Sequence, residues 1–239
     1  MGGKYSNVLT MLLVILIVAI LGVVGYFGYD ILHAKAINSN ANSTNEEFEE
    51  AIKEIKKDTS SMKSKDNEDN ENTVTNNSDI LGRLNEITPE KETTTTEKEA
   101  EKVYMEGYEV KGIIEIPKTG IKYPVLETVT KKSLETAVSI AYGPGLNEVG
   151  NTIIYGHNYR KTGLFFSDNK KLSKGDEVYI TDQKGEKVIY VIYNIYETTP
   201  NDATYMTRDT AGRREISLQT CTDDSSGRII IWAAEKGSM

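Results

Sequence analysis

The sequence predicts an all-β domain, closed into a barrel or packed as a sandwich with only short helices, carried behind a transmembrane helix and a disordered linker. Three observations predict it. An uncharged apolar run of 22 residues spans positions 8–29. A long polar stretch of low complexity follows, and from Tyr104 onward short β-rich runs alternate with turn residues.

The apolar run, VLTMLLVILIVAILGVVGYFGY, would cover about 33 Å as a helix, enough for a bilayer core. Ala34-Lys35-Ala36 mimics a signal-peptidase site, but the apolar cores of signal peptides span only about 7–15 residues, which favours an uncleaved anchor. Lys4 and the terminal amine precede the run and Asp30 follows it. The positive-inside tendency therefore places residues 1–7 in the cytoplasm and everything after residue 30 outside the cell membrane, in a single pass. Tyr26, Phe27 and Tyr29 suit the outer interface. Met1-Gly2-Gly3-Lys4-Tyr5-Ser6 also fits a myristoylation pattern, a match read as chance in front of a full membrane helix.

Residues 30–103 read as an extracytoplasmic linker. Over 37–103, rich in Asn, Ser, Thr, Glu and Lys, 17 acids face 9 bases, so nearly all of the chain's net charge of −8 resides there. Such a composition buries too little apolar surface to offset its ordering entropy. Two short apolar faces interrupt it. Phe48, Ile52 and Ile55 are read as part of the tether. Ile80, Leu81, Leu84 and Ile87 suit either a docking helix or a transient one, and the region 80–108 is not expected to cover the site.

The folded part is expected over residues 104–236. Candidate strands are 109–116, 122–126, 151–157, 177–181, 187–197, 214–221 and 228–234, with short helices or turns at 131–138 and 164–172. Many short strands and few helices argue against a parallel α/β sheet. With 18 acids against 17 bases, this part is nearly neutral and carries no basic stripe, which excludes a nucleic-acid partner.

The chemistry-bearing residues are few. Cys221 is the single cysteine, so no internal disulfide forms, and the two histidines are His33 and His157. Cys221 ends the alternating run 214–221, on the face of Ser217 and Gln219 and opposite Thr220, where a polar loop begins. A free cysteine is more often a small core residue, but this position opens the thiol to an incoming group. His157 closes Thr152-Ile153-Ile154-Tyr155-Gly156-His157-Asn158, another apolar strand running into a turn. Arg228 opens the last strand, which a hairpin brings back beside Cys221. A thiolate nucleophile, a nearby cation and a guanidinium for a developing oxyanion are what attack on an amide carbonyl requires.

Taken together, these residues resemble the sortase family. Ser217-Leu218-Gln219-Thr220-Cys221 is similar to its T-L-x-T-C signature, with Ser217 in place of threonine, and Arg228 stands where the family has its arginine. Tyr155-Gly156-His157-Asn158 resembles its G-H segment. Gly112-Ile113-Ile114-Glu115-Ile116-Pro117 and Tyr123-Pro124-Val125-Leu126 resemble its opening strands. The resemblance implies a closed eight-stranded barrel, whose eighth strand would lie around 139–142.

It also implies that Cys221, His157 and Arg228 are catalytic and that Thr220 and Asn158 serve substrate binding. The expected reaction cleaves an LPXTG-like sorting signal between Thr and Gly and transfers the surface protein to an amine of a cell-wall precursor or a pilin. No cofactor is expected; some sortases bind calcium, for which no ligands are assignable here. The spacing between His157 and Cys221 leaves little room for a class B insertion. No Asp-Pro-aromatic lid motif precedes the barrel and no second hydrophobic span is seen at the C-terminus, so a class A-, D- or E-like enzyme is expected. Two rival readings remain: a cell-wall cysteine peptidase, and a non-catalytic membrane-anchored binding or sensor domain.

Overall fold

The structure, a computed structural model, describes residues 3–63, 101–159 and 163–238. Helix α1 (Gly3–Lys63) is followed by β1 (Tyr104–Met105), β2 (Tyr108–Ile116), β3 (Ile121–Leu126), α2 (Lys131–Thr136), β4 (Val138–Tyr142), β5 (Gly150–Tyr155), β6 (Glu177–Asp182), β7 (Lys187–Thr198), β8 (Arg214–Cys221) and β9 (Arg228–Glu235). The strands run in the order β1-β2-β3-β4-β5-β8-β9-β7-β6, and β6 also pairs with β2. Strands β2 to β9 therefore close into an eight-stranded barrel, with β1 a short appendage to β2. The seven sequence-derived strands are present with small shifts at their ends, and β4 supplies the eighth. His157 itself falls beyond β5, which stops at Tyr155.

Two crossovers matter for the site. Strand β4 runs parallel to β3, connected through α2, and β5 runs parallel to β8. Helix α2 starts on a capping box, in which Thr130 accepts from the Ser133 N–H and Ser133 accepts from the Thr130 N–H. Pro124 is tolerated in β3 because β4 pairs only with Val125 and Leu126, leaving the first half of the strand without a ladder partner on that side.

Alternation places Ile216, Leu218, Ile231 and Ala233 in the main core inside the barrel. Strands β2 and β3 bury residues on both faces, among them Ile113 and Ile114 of β2 and Val125 and Leu126 of β3. The second cover is α1. The tether reading of residues 37–57 is corrected here, because α1 continues unbroken through them and lies against β2 and β3. Ala41, Thr44, Asn45, Phe48 and Ile52 share one helical face and are buried.

Asn45 Nδ2 donates to the Lys122 carbonyl at 3.2 Å, and Lys56 Nζ donates to the Gly185 carbonyl at 3.0 Å. Glu49 pairs with Lys122 at 2.6 Å. Burial of Phe48 and Ile52 contributes roughly 1.5–3 kcal/mol each, which no composition average registers. The other apolar face, at Ile80, Leu81, Leu84 and Ile87, lies outside the described residues. Towards its N-terminus α1 is long and apolar enough to cross a membrane, and its apolar window is unburied.

The connection between β7 and β8 is braced onto the outer sheet face by Glu215, whose side chain is fully buried. Glu215 pairs with Arg208 through Oε2 and with Arg213 at 2.7 Å, and Tyr193 donates its hydroxyl to Oε2 at 2.7 Å. The Arg208 guanidinium also lies 4.7 Å over the Trp232 ring. Glu215→Ala strands a buried guanidinium and is expected to cost about 3–5 kcal/mol, measured by urea melts.

Candidate active site

Register brings the three chemistry-bearing residues to one rim. Strand β8 pairs with β9 so that Cys221 and Arg228 stand directly opposite, on the same face, with Cβ atoms about 4.5–5.5 Å apart as such pairs are. On the other side of β8, β5 pairs Tyr155 with Gln219, and the Gly156 N–H donates to the Gln219 carbonyl at 3.1 Å. Two residues further along each strand come His157 and Cys221. Thiol, imidazole and guanidinium therefore occupy neighbouring positions at the end of three adjacent strands. Cys221, His157 and Arg228 are each half-buried.

The loop between Cys221 and Arg228 is preformed. The Thr222 N–H donates to the Gly227 carbonyl at 3.1 Å, and the Gly227 N–H donates to Thr222 Oγ1 at 2.9 Å. Hydrogen bonds from Thr222 and Ser226 hold the Asp224 carboxyl at about 2, so it stays charged and keeps the turn closed. Arg228 Nη1 donates to the Gly227 carbonyl at 2.9 Å, which folds the guanidinium back along the hairpin.

His157 sits in a second preformed turn. The Phe166 N–H donates to the His157 carbonyl at 3.1 Å, Asn158 bridges to Phe165, and the Tyr159 N–H donates to Ser167 Oγ at 2.8 Å. Gly156 is required for close approach: a Cβ there would lie 2.6 Å from the Phe166 ring and 3.0 Å from Val138. Burial pushes the His157 imidazole below its ordinary value of 6.5, and the negative charge of Glu135 on α2 partly opposes that shift.

Because the folded value is the lower one, the unfolded chain binds more protons as pH falls through 6.5, and stability declines from there downward. NMR of the imidazole is expected to show a midpoint below 6.5, moving lower still in Glu135→Gln. A midpoint unmoved by that substitution would remove Glu135 from the site.

Of the two residues expected to serve substrate binding, Asn158 joins two turns and Thr220 faces the barrel interior. Asn158 Nδ2 donates to the Cys221 carbonyl at 2.9 Å and to Asp223 Oδ1 at 3.0 Å. It ties the histidine turn to the cysteine loop, and Lys170 adds an ion pair to Asp223 at 2.5 Å. Thr220 points into the barrel, 2% exposed, with its hydroxyl unpaired there. That is the alternation of a strand: the neighbour of an outward-facing thiol faces inward.

Several neighbours carried no sequence signal. Tyr205, from the irregular β7–β8 connection, meets the Tyr155 hydroxyl at 2.9 Å and donates to Gln219 Oε1. With Ile153, Ile230, Tyr196, Met206 and Trp232 it builds an aromatic floor outside the barrel, leading along β8 towards Cys221. Of this group only Gln219 was legible, by its alternation with Cys221. Among the described residues no group of three or more His, Cys, Asp or Glu side chains is arranged to hold a metal ion.

A closed eight-stranded barrel with its one cysteine, a histidine and an arginine at neighbouring strand ends defines the class: a single-cysteine β-barrel. The family model described as Sortase domain matches residues 114–236. The chain belongs to the sortase family. It is 33% identical over 125 residues to "Sortase A" of Bacillus anthracis, covering 52% of this chain and 58% of that protein. It is 31% identical over 135 residues to "Sortase A" of Streptococcus agalactiae serotype III, covering 51% of each. The chain thus spans little more than half the length of either relative. Among solved structures, a lid mutant of sortase A from Corynebacterium diphtheriae aligns with a TM-score of 0.49 at 26% identity, over 53% of this chain and 69% of that one.

Proposed function

We propose that the protein is a membrane-anchored cysteine transpeptidase that cleaves an LPXTG-like sorting signal between Thr and Gly and passes the surface protein to an amine of a cell-wall precursor or a pilin. The observation that carries this reading is the register at the rim, where Cys221 and Arg228 are cross-strand partners and His157 follows just past the end of the adjoining strand. Membership of the sortase family supports it. The apolar first part of α1 supports the anchor; the positive-inside tendency of Lys4 and the terminal amine favours residues 1–7 in the cytoplasm, with 8–29 in the bilayer and the barrel outside.

The chemistry follows from the three groups. The Cys221 thiolate attacks the Thr carbonyl carbon, and the negative charge developing on oxygen is met by the Arg228 guanidinium. The C–N bond to Gly breaks as the imidazolium of His157 gives its proton to the leaving amine, leaving a thioester on Cys221. The acceptor amine then attacks that thioester. His157 takes the amine's proton, and the Cys221 thiolate leaves as the new amide forms. Water in place of the amine would give hydrolysis through the same thioester.

The test is mass spectrometry of the full chain with an LPXTG-type peptide library, with and without hydroxylamine. The expected result is an adduct on Cys221 equal to the peptide up to Thr, released by hydroxylamine as the hydroxamate. An intact fold without adduct from any peptide would reject the assignment. Adduct that yields only free acid in the presence of amines would favour the peptidase reading.

A further inference from the structure

His157 is held by a chain of rings that starts on α1. Its imidazole meets the Tyr159 ring edge-on at 5.2 Å. Tyr159 packs on Phe165 at 5.8 Å, and Phe165 packs on Tyr123 of β3 at 5.1 Å. The Tyr123 hydroxyl then donates to Asn38 Oδ1 of α1 at 2.7 Å and hydrogen-bonds with the backbone of Phe165. Phe165 is the unusual link: fully buried, yet in the left-handed region at φ 53°. A phenylalanine keeps such a backbone only where its surroundings over-determine it. The determinants are the bridge to Asn158, the hydrogen bond from the next residue to the His157 carbonyl, and the Tyr123 hydroxyl.

We propose that α1 is a positioning element of the active site, with Asn38 and Tyr123 as positioning residues that set the place of the His157 ring through Phe165 and Tyr159. The docked part of the helix is seated by Phe48, Ile52 and the Asn45 hydrogen bond, and Asn38, exposed on the same helix, presents its side-chain oxygen to the Tyr123 hydroxyl. Tyr123 is 5% exposed and has little room to turn its hydroxyl elsewhere. Loss of either polar partner removes one constraint on the strained turn beside His157 without touching Cys221 or Arg228, and Tyr123→Phe keeps the ring that Tyr123 contributes to the core. The kinetic consequence rests on the transpeptidase reading; the structural one does not.

The experiment uses the full chain in nanodiscs with ¹³C-labelled histidine and His33→Gln, leaving one imidazole to observe. In Asn38→Ala and in Tyr123→Phe, the His157 ring signal is expected to shift and its titration midpoint to rise towards 6.5 as water reaches the loosened ring. Asn38→Asp keeps an acceptor for the Tyr123 hydroxyl and is expected to restore both. In peptide transfer, kcat should fall about 3–10-fold in the first two variants at unchanged KM, since a displaced proton donor slows the step without weakening substrate binding. A ring signal and midpoint in Asn38→Ala and Tyr123→Phe identical to the parent would overturn the proposal. Because that readout needs no turnover, its failure is separable from a failure of the proposed reaction.

Discussion

Cys221→Ala is expected to abolish the peptide adduct and to lower turnover by roughly 10³-fold or more, while the protein melts like the parent. The thiol is the only one in the chain, so no second nucleophile of its kind can take over. It is half-buried at the last position of β8, outside the barrel core, so the loss of one sulfur leaves the packing of Ile216, Leu218 and Ile231 intact. Cys221→Ser is the sharper variant. It keeps size and position but replaces an intrinsically nucleophilic thiol with a hydroxyl that needs a base to become reactive. Serine is expected to behave like alanine; full activity in either variant, read by product formation and intact mass, would place the nucleophile elsewhere.

Arg228→Ala is expected to reduce kcat/KM by about 10²–10³-fold, the usual effect of losing one oxyanion donor. Arg228 is the cross-strand partner of Cys221, and under the proposed mechanism its charge would act on the negative oxygen as it forms. Arg228→Lys separates charge from geometry. Lysine retains the charge but lacks the planar, forked donor set, so it is expected to recover only part of the loss. Equal activity of alanine and lysine variants would show that shape, not charge, is what the position supplies. Parent-like activity of the alanine variant would take Arg228 out of the reaction.

Other effects in the molecule are about seating rather than reacting. The buried Glu215 cluster, the Asn158 clamp and the closed 222–227 turn all hold strand ends and connections in place around a rim that is itself only half-buried. Gly156 belongs with them, because the turn carrying His157 can pack against Phe166 only where no Cβ intervenes.

What was legible in the sequence is what depends on neighbours along the chain. Strand alternation in 214–221 put Cys221 on the face of Gln219 and away from Thr220, and the structure has that arrangement. Turn residues bounded the strands, and the apolar run at 8–29 stands out by length alone. Register, closure and docking depend on pairings far apart in the chain, so the tertiary structure decided them. The β5–β8 pairing that leads to His157 just past the strand end, the β2–β6 pairing that closes the barrel, and the contact of Tyr205 with Tyr155 and Gln219 are all of this kind.

Helix α1 marks the division most clearly. Its residues 37–57 are too polar to order themselves, and composition rightly assigns them no core of their own. What orders them is a surface supplied by β2, β3 and the turn at Gly185, onto which Phe48 and Ile52 fit. By itself the sequence determined which residues could react and which way each strand faces, because both follow from side-chain chemistry and a two-residue repeat. Only the tertiary structure decided which of them meet, because burial free energy belongs to a pair of surfaces and the second surface lies elsewhere in the chain.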